Sequence, residues 1–103
     1  MLIFELASPT AIGLELGRRL RMQRLAQNLS MTELGERAGV SWGTVRNLET
    51  KGQASLSSVI CVAKALGLAN DLNTLFELSL NSIADMEKAA QARSATRARK
   101  AGR

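Results

Sequence analysis

The chain has 103 residues, of which 46% are hydrophobic but only 3% aromatic; its formal charge is +5, and it has one cysteine and no histidine. That is enough chain for one core but not for a two-domain enzyme, and a core made of Leu, Val, Ile and Ala favours packed helices over a sheet, so an all-α fold is expected. Without histidine, and with Cys61 as its single thiol, the sequence offers no basis for most metal sites, for Cys/His or Ser/His nucleophile pairs, for an internal disulfide, or for an enzyme with a cofactor.

Residues 1–8 open with "MLIFEL", an apolar stub with three open readings: disorder, packing on the core, or a strand paired with its copy in a second subunit. It lacks the charged front and apolar length of a secretory signal. No apolar run approaches the ~20 residues of a membrane span, so a cytoplasmic protein free of the membrane is expected. Ser8 and Pro9 mark a helix start, because the serine oxygen accepts an orphan amide and proline has none to leave unpaired. The first helix is expected over residues 9–27, with Ile12, Leu16 and Leu20 inward. Arg18, Arg19, Arg21 and Arg24 crowd the rest of its surface, as solvated charges or as phosphate contacts.

Ser30 and Glu33 spell a capping box at the start of a second helix, Met31 to Ala38, with Leu34 and Ala38 inward. Gly39 follows where a left-handed residue ends a helix. Val40 bridges the turn, and Ser41 caps a third helix from Trp42 to about Thr50, anchored by Val45 and Leu48. After "TKGQA", Ser55 caps a fourth helix whose apolar face is Leu56, Val59, Ile60, Ala63 and Leu66, with Gly67 as its stop; Cys61 reads there as an ordinary buried thiol. Asn70 caps a fifth helix carrying Leu72, Leu75 and Phe76, extending toward Leu78. Residues 82–92 are good helix formers with a thin apolar face, expected to be helical when bound and frayed when free.

Charge is unevenly placed: residues 1–87 hold eight Lys/Arg against nine Asp/Glu, whereas residues 88–103 hold six bases and no acid. The chain therefore divides into an N-terminal extension (1–8), a folded domain (9–78) and an Arg/Lys-rich tail (79–103). In that tail Arg93, Arg97, Arg99, Lys100 and Arg103 either screen DNA phosphates without reading sequence or dock on an acidic partner.

The capped pair from Ser30 to Glu49 has the spacing of a helix-turn-helix, in which one helix crosses the DNA backbone and the next enters the major groove. Any small helical bundle can contain such a pair, so a protein-interaction adaptor on the same scaffold is a rival reading. "LSMTELGERAGVSWGTVRNLE", with "LGRRLRMQR" before it and "SLSSVICVAKALGL" after it, resembles the lambda-repressor-like, Cro-type (XRE) helix-turn-helix domain. The resemblance covers about Leu16 to Phe76, with Leu34, Gly39, Val40, Ser41, Val45 and Glu49 as landmarks. It implies a five-helix DNA-binding domain, to which this chain adds its basic tail.

"SPTAIGLELG", "ALGLANDLNTLF" and "RSATRARK" are similar to HipB-type regulators, the antitoxins that accompany HipA-family kinase toxins. That resemblance implies a homodimer that represses its own promoter on double-stranded operator DNA and restrains a HipA-like kinase. A phage-type or restriction-controller repressor without a toxin partner is the alternative. Two departures stand out: Met31 replaces the family's usual glutamine, and "ETKGQA" replaces the usual "ENGK" loop, shifting backbone contacts onto Lys51 or removing them.

Position by position, the resemblance places base reading on Trp42, Gly43, Thr44 and Asn47, and phosphate or outer-base contacts on Arg46, Lys51, Ser41 and Arg24. The chemistry suits part of this set: the Asn47 carboxamide matches an adenine edge, Thr44 offers a hydroxyl and a methyl, and Arg46 can grip guanine or phosphate. Gly43 costs a helix ~1 kcal/mol against alanine, which either close approach to DNA or neutral drift at a tolerant site would explain. Trp42 either lies flat over the second helix near Met31 or meets thymine methyls or sugar at the groove edge.

Overall fold

The computed structural model describes residues 2–79 and 83–101. They form α1 (Pro9–Ala26), α2 (Met31–Ala38), α3 (Trp42–Lys51), α4 (Leu56–Ala65), α5 (Ala69–Asn73) and α6 (Ile83–Ala101). No strand occurs among the described residues, so the fold is all-α. The chain divides into two compact units, the first closing at Asn73 and the second opening at Thr74, ahead of the boundary read from the sequence after residue 78.

In the first unit, Leu29, Leu34, Val45, Leu48, Val62 and Leu66 form the core, bordered by Leu20, Met31, Val40, Val59 and Leu68. Helices α2, α3 and α4 thus share one apolar centre, while α1 packs chiefly on α3. The face of α1 that does so differs from the expected stripe, since Leu16 is 44% exposed and the seam runs through Gly13, Gly17, Leu20 and Arg24. A Cβ at Gly13 would stand 2.9 Å from the Gly52 carbonyl oxygen, and one at Gly17 would collide with the Leu48 carbonyl. Glycine lets two helix backbones meet here, and apolar counting passes over it.

On α4 the inward residues are Val62 and Ala63, followed by Leu66 at the helix end. Leu56 and Ile60, expected inward, are exposed: Leu56 is the first residue of the helix and Ile60 lies off the Val59, Val62, Leu66 stripe. Helix α5 begins at Ala69 and stops at Asn73, so Leu75, Phe76 and Leu78 lie beyond it and are exposed.

The N-terminal stub forms a turn, with the amides of Leu6 and Ala7 donating to the carbonyls of Ile3 and Phe4 at 3.1 and 3.2 Å. Phe4 lies under Arg19, whose guanidinium carbon is 5.1 Å from the ring centre. Leu2, Ile3 and Leu6 stay exposed, so the turn does not carry the stub into the core.

In the second unit, a turn at residues 74–76 is closed by the Glu77 amide on the Thr74 carbonyl at 3.2 Å. Helix α6 runs further than the 82–92 expected, because its alanine-rich sequence offers no glycine or proline before Gly102. No helix among the described residues is long and apolar enough to cross a membrane.

Candidate nucleic-acid interface

Three local devices set α3 against α2. At the start of α2 the Glu33 amide donates to Ser30 Oγ and the Ser30 amide donates to Glu33 Oε1, both at 3.0 Å. The Ser30 amide, and then its hydroxyl, hold the Glu33 carboxyl below its ordinary range. Gly39 ends α2 at φ +73°, and the Val40 amide returns to the Gly35 carbonyl at 3.0 Å; the left-handed backbone at this turn suits glycine. Ser41 then caps α3, its Oγ accepting from the Thr44 amide at 3.1 Å.

Beneath α3, Val45, Leu48 and Glu49 are buried. The Glu49 carboxylate takes two hydrogen bonds from Arg24, from Nε at 2.8 Å and from a terminal nitrogen at 2.9 Å, and the other terminal nitrogen donates to the Leu29 carbonyl at 2.8 Å. Hydrogen bonding to Glu49 raises the Arg24 pKa further above its usual value. Arg24, expected among the phosphate contacts, is 6% exposed and its guanidinium is fully engaged inside the fold. Phosphate binding by Arg24 is therefore ruled out in this conformation, and its work is to fix α3 on α1. Sequence reasoning missed the pair, although Glu49 stands one turn after Val45 on the inward stripe, the one position where an acid calls for a partner.

The opposite face of α3 carries Gly43, Asn47 and Thr50, flanked by Arg46 and Lys51. Asn47, Thr50, Arg46 and Lys51 are exposed. The only acid on the helix is the buried Glu49, so this face bears positive charge alone. Trp42 is 53% exposed, and the Arg46 guanidinium carbon stands 6.0 Å from its ring centre. Met31 instead packs against the core. A Cβ added at Gly43 would meet only Ser41 Oγ, at 3.8 Å, so nothing within the chain requires glycine there.

Thr44 is half-buried, and its hydroxyl shares a 2.9 Å hydrogen bond with Ser41 Oγ. Both hydroxyls thus serve the cap. Thr50, not singled out in the sequence, joins the outward face and donates from its hydroxyl to the Arg46 carbonyl at 2.7 Å. Elsewhere on the first unit, Glu15 ties up Arg18 and Arg19, while Arg21 and Arg37 are exposed and carry no ion pair among the described residues.

Of the tail bases, Arg93 lies exposed on α6. Arg97, Arg99 and Lys100 fall on the same helix with side chains outside the described set, and Arg103 lies outside the described residues.

A family model described as a helix-turn-helix domain matches residues 15–101. An uncharacterized HTH-type transcriptional regulator, y4wC, of Sinorhizobium fredii (strain NBRC 101917 / NGR234) is 34% identical over 84 residues, covering 80% of this chain and 57% of that protein. The chain thus spans little more than half the length of this curated relative.

Proposed function

Because the chain belongs to the helix-turn-helix domain family, we propose that it is a sequence-specific DNA-binding transcriptional regulator, without enzymatic activity, acting in the cytoplasm as a homodimer on double-stranded operator DNA. The observation that carries this reading is the two-sidedness of α3. One side is locked to the core by Val45, Leu48 and the Arg24–Glu49 pair, and the other presents polar and basic side chains with no acid among them.

In the major groove Asn47 pairs with an adenine edge, Arg46 grips guanine or phosphate, and Lys51 meets phosphate. Gly43 brings the helix backbone close to the duplex. Trp42, braced by Arg46, meets thymine methyls or sugar at the groove edge. Thr44 contributes its methyl to base contact and Ser41 supports the helix tip. The basic tail, Arg93, Arg97, Arg99, Lys100 and Arg103, adds phosphate attraction without sequence preference.

Two copies of α3 in a twofold dimer meet half-sites about 34 Å apart on one face of the duplex. The biological setting we favour is that of an autorepressing antitoxin restraining a HipA-like kinase, supported by the similarity of "SPTAIGLELG", "ALGLANDLNTLF" and "RSATRARK" to HipB-type regulators. Selection from a random duplex pool by the full chain tests the DNA reading, followed by footprinting of the winning sequence. Enrichment of a twofold-symmetric site protected in two patches one helical turn apart is expected; a pool left unenriched overturns the proposal. Co-purification with the kinase, and loss of kinase activity in the complex, tests the antitoxin role.

A further inference from the structure

Arg46 flanks the outward face of α3, exposed, and the fold leaves its head group uncommitted. The only acid on α3 is Glu49, one turn further on, at a spacing that ordinarily closes an ion pair on a helix surface. Arg24 takes both Glu49 carboxylate oxygens instead, at 2.8 and 2.9 Å, and holds them inside the fold. Arg46 consequently makes no ion pair and no side-chain hydrogen bond among the described residues. Thr50, the next neighbour along the helix, gives its hydroxyl to the Arg46 carbonyl and so does not engage the guanidinium.

What the guanidinium does meet is a ring. Its carbon stands over Trp42, one turn earlier, at 6.0 Å from the ring centre, at the edge of the range in which an aromatic face attracts a cation. Trp42 is half-exposed and lies outside the core cluster, so ring and guanidinium pair at the free tip of α3. Two kinds of DNA partner suit an arginine, and they ask different things of it. A phosphate needs only positive charge within reach, which Lys51 offers without any ring. A guanine needs the flat fork of the guanidinium directed at O6 and N7 together, and an unrestrained arginine gives up much rotamer freedom to reach that arrangement. A ring that holds the guanidinium before DNA arrives reduces this cost. The pair serves base reading and is superfluous for phosphate contact.

We propose that Arg46 reads a guanine in each half-site, and that Trp42 is the positioning residue that presents its guanidinium to the major groove. Arg24 contributes indirectly, by removing the one acid on α3 that would otherwise compete for Arg46. The inference rests on the DNA-binding reading above and decides between guanine and phosphate, the two partners named there for Arg46.

The test uses the full chain and the duplex selected from the random pool, remade with 7-deazaguanine in place of one guanine at a time. That base keeps its pairing and its phosphate but lacks the N7 acceptor. For each protein the readout is the ratio of its affinities on the normal and the substituted duplex, which an inactive fraction of the preparation does not alter. Wild type should lose roughly 10-fold at one guanine in each protected patch, and Arg46→Ala should be indifferent to the substitution there. Trp42→Ala should cut that loss to about 3-fold or less, and Trp42→Phe, which keeps a ring beside the guanidinium, should recover most of it. A pool left unenriched overturns the DNA-binding reading and this proposal with it. A selected site at which no guanine is sensitive, or at which Arg46→Ala keeps the full loss, leaves that reading standing and overturns guanine recognition by Arg46. A Trp42→Ala protein as sensitive as wild type overturns the positioning role of Trp42.

Discussion

Gly43 lowers the helix propensity of α3 although a Cβ would have open space there, with Ser41 Oγ 3.8 Å away as its nearest neighbour. Gly43→Ala should therefore raise stability by ~1 kcal/mol, read as a higher thermal midpoint. Under the proposed function it should also weaken DNA binding, because the added methyl stands on the face turned to the duplex; a more stable protein with unchanged affinity would refute the close approach. Arg24 makes the opposite case. Arg24→Ala strands the Glu49 carboxylate, whose side chain is 1% exposed, and breaking a buried pair on one side costs about 3–5 kcal/mol, measurable by urea unfolding. Replacing Arg24 and Glu49 together with leucine or methionine should recover most of that loss, since a well-packed apolar pair is a fair substitute for a buried ion pair.

At the level of the helix, Glu15 gives α1 a pH dependence of its own. Hydrogen bonds from Arg18 and then Arg19 pull its pKa from 4.5 down to about 2. A carboxyl lowered in the folded state contributes stability that is present above its unfolded value and lost as pH falls through its folded value. The thermal midpoint should thus decline between about pH 4.5 and 2, and Glu15→Gln should lower it at neutral pH while flattening that limb; an acid limb unchanged in the variant would place the effect elsewhere. Helix starts were legible from the sequence because capping is local: Ser8, Ser30, Ser41 and Ser55 each accept the amide three residues on. Helix faces were less so. The seam of α1 is made by two glycines, a leucine and an arginine, and its partner Glu49 stands 25 residues away from Arg24, so no period of apolar residues reveals it. The place of α3 and the exposure of Asn47 and Arg46 could be read from spacing, whereas spacing alone leaves Trp42 between two positions. The engagement of Thr44 with Ser41 and the outward position of Thr50 depend on side-chain geometry.

Across the whole molecule, positive charge is concentrated in the last sixteen residues, while the first 87 are close to balanced. Association with DNA should accordingly depend on two separable parts, α3 for sequence and the tail for charge. Deleting residues 88–103 should reduce the slope of log affinity against log salt by up to ~0.9 for each phosphate contact removed, with the preferred sequence unchanged. An unchanged slope would assign the tail to a protein partner. The reading surface itself is tested most directly by Asn47→Ala, with affinities of wild type and variant compared on the selected duplex and on a scrambled one. Removal of a base contact worth ~1–3 kcal/mol should weaken binding to the selected duplex by that amount and leave the scrambled duplex and the thermal midpoint nearly unchanged. Equal loss on both duplexes, or no loss on either, would contradict a base-reading role for α3.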